Sequence, residues 1–253
     1  MFSISLIPAF KDNYIWLLTG ANRRAAVVDP GDAAPVLARL EAENLVLESI
    51  LITHHHADHQ GGVGALVERF RPQVFGPENE SITGCNRPLS GGESISILDC
   101  PVDVLAVPGH TLGHLAYVAE ALVFCADTLL AAGCGRLFEG TPEQMFASLS
   151  ALSALPDTTK LYCAHEYTAM NLRFAEAVEP ESLQVKTRVE KVAEMRLRQQ
   201  ATVPLSLAEE KATNPFLRSR EAAVIAAAKQ NGAVDDSPVA VFAALRQWRN
   251  NFS

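Results

Sequence analysis

The sequence predicts a mixed α/β fold followed by a smaller all-α region. Short β-branched apolar runs bounded by Gly and Pro alternate with amphipathic stretches over residues 1–165. All 7 histidines and 14 of the 15 glycines lie in that part of the chain. Residues 166–253 hold the remaining glycine and read as a series of capped helices. Two units are therefore expected, 1–165 and 166–253, with strands and helices layered in the first.

Expected strands are residues 3–7, 14–18, 25–28, 49–52, 104–107, 115–118, 122–125 and 161–163. Expected helices between them are 34–43, 62–70 and 142–154. In the second unit, Val185, Val189, Val192 and Met195 share one face of a helix over 181–200. Ser206 and Glu209 form a capping box for a short helix that Asn214-Pro215 ends. Ser219 is expected to cap a helix over 220–230, with Gly232 just past its end. Ser237-Pro238 has the form that starts a last helix.

Composition narrows the function. Apolar residues are 48% and charged residues 20%, which excludes a disordered chain. The net charge of -8 divides into -9 over residues 1–165 and +1 over the rest. No broad basic face is available, so no nucleic-acid partner is expected. No apolar run is long enough to span a membrane, and no basic residue precedes the first apolar stretch, so neither membrane nor secretory leader is expected. Five cysteines without a CxxC pair fit free thiols in the cytoplasm. The chain is read as a monomer.

The chemistry is concentrated in Thr53-His54-His55-His56-Ala57-Asp58-His59, directly after an apolar run. In an extended segment His54 and His56 point the same way and can share one metal, while His55 faces elsewhere, towards solvent or packing. Asp58 and His59 come where Gly61-Gly62 leads into a helix, so the turn can aim them at a second position. His110, Asp127 and His165 each follow another expected strand. If those strands share a sheet and an orientation, the residues converge on one rim. Imidazole and carboxylate without thiolate suit Zn, with Fe or Mn as alternatives. Five histidines and two aspartates exceed one four-ligand site, and match two divalent ions sharing a carboxylate. His114 is assigned to supporting or structural duty. Asp29 is either an orienting partner of a ligand histidine or a turn aspartate in Asp29-Pro30-Gly31-Asp32.

These residues resemble the metallo-β-lactamase superfamily, defined by HxHxDH followed by a separate His, an Asp and a last His. The likeness is closer to its glyoxalase II, or hydroxyacylglutathione hydrolase, family. The matching stretches are Asp12-Asn13-Tyr14, VVDPGD (27–32), THHHADHQGG (53–62), PGHTLGH (108–114), DTLLAAGCGRLFEGT (127–141), HEYT (165–168) and NPFLR (214–218). The resemblance implies an αββα sandwich followed by the helical unit. It implies one metal on His54, His56 and His110, a second on Asp58, His59 and His165, and Asp127 bridging. It implies glutathione contacts from Arg136, Tyr167 and Arg218. Phe138 stands where some members have tyrosine, which removes one hydrogen bond to the peptide. Arg220 stands near a position where some members carry a further basic residue.

The activity implied is hydrolysis of S-D-lactoylglutathione and related 2-hydroxyacylglutathiones to glutathione and the hydroxy acid, in methylglyoxal detoxification. A metal-held hydroxide, oriented by Asp58, attacks the thioester carbonyl. A thiolate leaves without strong acid assistance, since a free thiol has a pKa of about 8.5. An amide would need a proton donor, which favours a thioester over a β-lactam. Two alternatives stand beside this reading: a one-iron glutathione persulfide dioxygenase of the same fold, and a non-catalytic metal-binding module. Cys134 is read as a packing residue.

Overall fold

The computed structural model describes residues 2–252. It contains two six-stranded sheets packed face to face, with helices outside. The first sheet orders β1 (Ser3–Ala9), β2 (Asn13–Thr19), β3 (Arg24–Val28), β4 (Val46–Leu51), β5 (Gln73–Pro77) and β6 (Arg87–Leu89) as they occur in the chain. It is antiparallel through β3 and parallel from there on. The helices α1 (Ala33–Ala42), α2 (Ala57–Gln60) and α3 (Val63–Phe70) make the connections between β3, β4 and β5. The second sheet takes β7 (Ser94–Ile97), β8 (Cys100–Ala106), β9 (Leu115–Ala119), β10 (Leu122–Ala126) and β13 (Lys160–Cys163). Between the last two lie a small hairpin, β11 (Leu129–Leu130) with β12 (Gly133–Cys134), and α4 (Pro142–Ser153).

Strand β2 shows why the sandwich forms. Its alternate residues Tyr14, Trp16 and Leu18 join the core between the sheets. Ile15 and Leu17 point the other way, against Val36 and Leu40 of α1 and Val63 and Leu66 of α3. A strand buried on both faces needs an unbroken apolar run, each large side chain contributing about 1.5–3 kcal/mol. Across the sandwich, Trp16 meets Tyr162 edge-on at 4.8 Å, and the Tyr117 hydroxyl donates to the Ile52 carbonyl at 2.6 Å.

The remaining chain forms α5 (Thr168–Val178), α6 (Leu183–Leu197), α7 (Leu207–Thr213), α8 (Ala222–Gln230) and α9 (Pro238–Asn250). One short strand, β14 (Leu205–Ser206), pairs with Lys160 and Leu161, so the helical region also extends the second sheet by an edge. Ser206 and Ser237 cap α7 and α9 as expected. Ser219 does not cap α8. The cap position is Glu221, because the 3-10 turn Pro215–Leu217 carries Ser219 into a buried place. The expected helices 34–43, 62–70 and 142–154 all form, within a residue or two. No helix among the described residues is long and apolar enough to cross a membrane.

Candidate metal centre

The site lies on the rim where both sheets end. Strand β4 of the first sheet delivers the turn with His54 and His56, and α2 carries Asp58 and His59. Strands β8, β10 and β13 of the second sheet run in one direction and deliver His110, Asp127 and His165 past their ends. The expected convergence at strand ends therefore occurs, but from two sheets rather than one.

His56 Nδ1 lies 3.0 Å from both His54 Nε2 and His110 Nε2. Asp58 Oδ2 lies 3.5 Å from both His59 Nε2 and His165 Nε2. Asp127 joins the two groups: Oδ2 is 3.4 Å from His110 Nε2 and 3.7 Å from His59 Nε2, and Oδ1 is 3.3 Å from His165 Nε2. A tetrahedral ion with metal–nitrogen bonds of about 2.0–2.1 Å has donor–donor edges of about 3.3 Å. The observed separations bracket that edge.

The remote nitrogens fix which atoms face inward. His110 Nδ1 donates to the Arg136 carbonyl at 2.8 Å. His59 Nδ1 pairs with Asp29 Oδ2 and His165 Nδ1 with Asp12 Oδ1, each at 3.0 Å. His54 Nδ1 donates to Thr53 Oγ1, whose hydroxyl donates to Asp29 Oδ2 at 2.7 Å. With the protons assigned there by the network, bare Nε2 lone pairs converge, an arrangement that repels itself unless a cation lies between. Two of the inward atoms, His59 Nε2 and Asp127 Oδ1, are buried without a hydrogen-bond partner. The donor set fits divalent metal, and the cluster is a site for it.

Burial raises the Asp127 carboxyl, but His165 and His59 outweigh it and hold its pKa well below the usual range. Burial lowers His59, yet the Asp127 and Asp29 carboxylates carry it well above the ordinary imidazole value. Burial, with neighbouring imidazoles, keeps His54 and His110 neutral, the form a metal needs. Asp58 is held low against its burial by His59 and by Asn13 Nδ2, which donates to it at 3.0 Å.

Two glycines let backbone approach the ligand residues. A Cβ on Gly31 would sit 1.8 Å from the Asp58 carbonyl oxygen. One on Gly135 would sit 1.9 Å from the Asp127 carbonyl oxygen and 2.9 Å from His110 Nδ1. The glycines of VVDPGD and CGRLFEGT are thus required by the ligand geometry itself.

The centre opens into a cleft of about 720 Å³. Arg136, Phe138 and Tyr167 line it. Phe138 presents its ring edge-on to His56 and His110, and Tyr167 stacks on His165 at 4.7 Å. Asp29 does both of the things considered for it: Oδ2 lies 3.0 Å from His59 Nδ1 and Oδ1 accepts from the Thr53 backbone at 2.8 Å, while its carbonyl accepts from the Gly31 N–H at 2.9 Å in a turn. His114 stacks beneath His54 at 4.6 Å, fully buried, with Nδ1 3.3 Å from Thr128 Oγ1.

Arg218 is not brought to the cleft. It forms a two-pronged ion pair with Glu179, at 2.8 and 2.9 Å, and donates to the Lys211 carbonyl. Arg220 lines a separate groove beside α4. The cleft instead receives Arg246 and Arg249 from α9. Arg246 donates to the Cys134 carbonyl at 2.8 Å and has its buried Nε unpartnered. Burial, with Arg246 and Arg173 close by, pushes the Arg249 pKa down. Neither is ion-paired among the described residues, and the only carboxylates lining the cleft are Asp58 and Asp127. Asp12, Asn13, Arg246 and Arg249 are site residues that sequence reasoning did not assign.

Fold and donor set define a metal-dependent hydrolase of the metallo-β-lactamase type, and the description "Metallo-beta-lactamase superfamily" matches residues 10–104. Among solved structures, ETHE1 from Myxococcus xanthus superposes with a TM-score of 0.68 at 26% identity, covering all of both chains. BLEG-1 B3 metallo-β-lactamase, at 22% identity, has a TM-score of 0.66 over 85% of this chain and 99% of its own, a likeness of fold. The description "Hydroxyacylglutathione hydrolase C-terminus" matches residues 166–252. The hydroxyacylglutathione hydrolase of Dechloromonas aromatica is 62% identical over the full length of both chains. This chain belongs to the hydroxyacylglutathione hydrolase family.

Proposed function

We propose that this chain hydrolyses the thioester of S-D-lactoylglutathione and related 2-hydroxyacylglutathiones, giving glutathione and the 2-hydroxy acid, as a step of methylglyoxal detoxification. The observation that carries the reading is one cleft with two joined donor triads at one end and unpaired arginines along it. An S-acylglutathione offers two carboxylates and a thioester, and each half of the cleft matches one half of that molecule.

His54, His56 and His110 would hold one ion, Asp58, His59 and His165 a second, and Asp127 both. We take both ions to be zinc, with iron or manganese as occupants the same donors accept. When bound, such ions supply Lewis acidity and lower the pKa of water. The chain's own residues do the rest. Asp58, held ionised and anchored by Asn13, accepts a hydrogen bond from the attacking water and so orients it. Arg246 and Arg249, with Arg136, pair with the peptide carboxylates and fix the thioester carbonyl at the triads. Phe138 and Tyr167 wall the cleft beside the reacting centre, Phe138 edge-on to His56 and Tyr167 over the face of His165. The thiolate departs into a basic cleft, and its low pKa spares a general acid.

Residues 1–165 serve as the metal-bearing unit and 166–253 as the unit that completes the substrate cleft. The chain acts as a cytoplasmic monomer on a small molecule, without nucleic acid or membrane. The complete second triad speaks against a one-iron dioxygenase, and the open cleft against a purely structural metal site. The test is release of free thiol from S-D-lactoylglutathione, abolished by chelation and restored by divalent metal. Turnover that persists after stringent metal removal would overturn the reading.

A further inference from the structure

Outside the two triads lies a third group, His55, Glu80 and Glu139. Glu80 follows β5, on a loop to which the metal site assigns nothing. Its side chain is 4% exposed. A carboxylate so buried loses its hydration and persists only where donors replace it. Glu80 has four. Oε2 accepts from the His55 backbone N–H at 2.6 Å and lies 3.0 Å from His55 Nδ1. Oε1 accepts from the Thr111 hydroxyl at 2.5 Å and the Gly113 N–H at 2.9 Å.

These donors belong to two different turns. His55 sits between His54 and His56, and Thr111 and Gly113 flank the turn that begins with His110. A Cβ on Gly113 would lie 2.6 Å from Glu80 Cγ, so the turn is shaped to receive this side chain. Glu139, from the Arg136 loop, accepts from the Leu112 N–H at 2.9 Å and lies 3.4 Å from His55 Nε2. We propose that Glu80 is a positioning residue, a carboxylate clamp that ties the His54–His56 turn to the His110 turn and presets the spacing of that triad. The inference rests on the metal reading given under Proposed function.

The carboxylate is required as such. In glutamine the amide nitrogen would face either the Gly113 N–H or the His55 N–H, donor against donor, in a buried place. A third cation among His55, Glu80 and Glu139 is disfavoured, since the four donors already occupy Glu80.

The experiment titrates metal-free wild type, Glu80→Gln and Thr111→Val with Co(II) against a competing chelator. It follows the two binding steps by their visible spectra, beside kcat and KM. Expected is a 10- to 100-fold weakening of one step in Glu80→Gln, the range for partners of metal ligands, with the other step within about threefold. Thr111→Val, which deletes one donor and keeps the carboxylate, should weaken the same step less, and it carries the test if Glu80→Gln does not fold. kcat should fall while KM holds, because the arginines are untouched. Equal weakening of both steps, or none, overturns the clamp. So does loss of one metal equivalent with both steps intact, which would mark a third cation site. Wild type that takes up no metal overturns the metal reading and this inference with it. Wild type and Glu80→Gln loading two ions alike overturn the clamp alone.

Discussion

Arg249→Met and Arg218→Met separate the two candidate anchors for the substrate's carboxylates. Arg249 makes one long bond, to Asn171 Oδ1 at 3.4 Å, and lies over the Phe174 ring at 6.0 Å. Methionine keeps an apolar stem and removes the charge, so the fold loses little. A charge-assisted hydrogen bond contributes about 1.5–3 kcal/mol, or roughly 10- to 150-fold in KM. Arg249 is half-buried beside solvent, which places the expected rise near the lower end, about tenfold, with kcat nearly unchanged. Arg218→Met should do the reverse. It strands Glu179, only 6% exposed, after breaking a two-pronged pair. The cost, discounted for the 21% exposure of Arg218, is about 1–2 kcal/mol, or roughly 2–8 °C in Tm. KM should stay within about twofold. Thioester kinetics and thermal melts on both variants decide it. A raised KM in Arg218→Met with an unchanged one in Arg249→Met would refute the assignment of the anion site to α9.

Asp127→Ala removes the carboxylate shared by both triads and is expected to lose at least one metal equivalent together with turnover. Metal analysis after desalting checks this, and full metal with normal turnover would contradict it. Gly135→Ala forces a methyl against the Asp127 carbonyl and His110, so it should cost about 1–3 kcal/mol and weaken metal binding, read by melting with and without added metal. Cys85 and Cys100 are partly exposed, whereas Cys125, Cys134 and Cys163 are buried, and burial pushes the Cys163 thiol up to about 12. A thiol reagent should therefore titrate two groups in the native protein and five after denaturation, and native reaction of Cys163 would contradict the burial.

The long, doubly buried strands and the capped helices were legible because their apolar periods and caps are local. Strand β5, QVFGP, was not, since Gly and Pro depress β propensity and only its neighbours hold it in the sheet. Helix α5 follows Tyr167, which supplies no side-chain cap, and so gives no start signal. The metal donors were legible because imidazoles and carboxylates at strand ends have few other uses. Asp12 and Asn13 were not, because they reach the site through strand β2 and an isolated bridge from Asn13 to His165. The arginines show the limit most clearly. Arg218 sits in a telling motif and serves a structural ion pair, whereas Arg246 and Arg249 look like any solvated helix face. One signal was present: α9 holds both arginines and no acidic residue that could pair with them.

The helical region does more than roof the cleft. Its buried Glu210 accepts from the Ala132 N–H at 2.9 Å and is held by Arg188 at 2.5 Å and Asn214 at 2.7 Å. That fixes the β11–β12 hairpin from the helical side. Asn214 Nδ2 also donates to the Gly133 carbonyl at 2.9 Å, Arg246 holds the next one, Cys134, and the Arg136 carbonyl accepts from His110. Three residues of backbone therefore link an arginine that lines the cleft to an imidazole of the metal-donor cluster. Backbone so tightly bonded has little freedom to shift one end alone. If Arg246 pairs with a substrate carboxylate as proposed, that carboxylate would bear on the same backbone segment that orients His110, so binding energy at the peptide end would be spent on geometry at the thioester end.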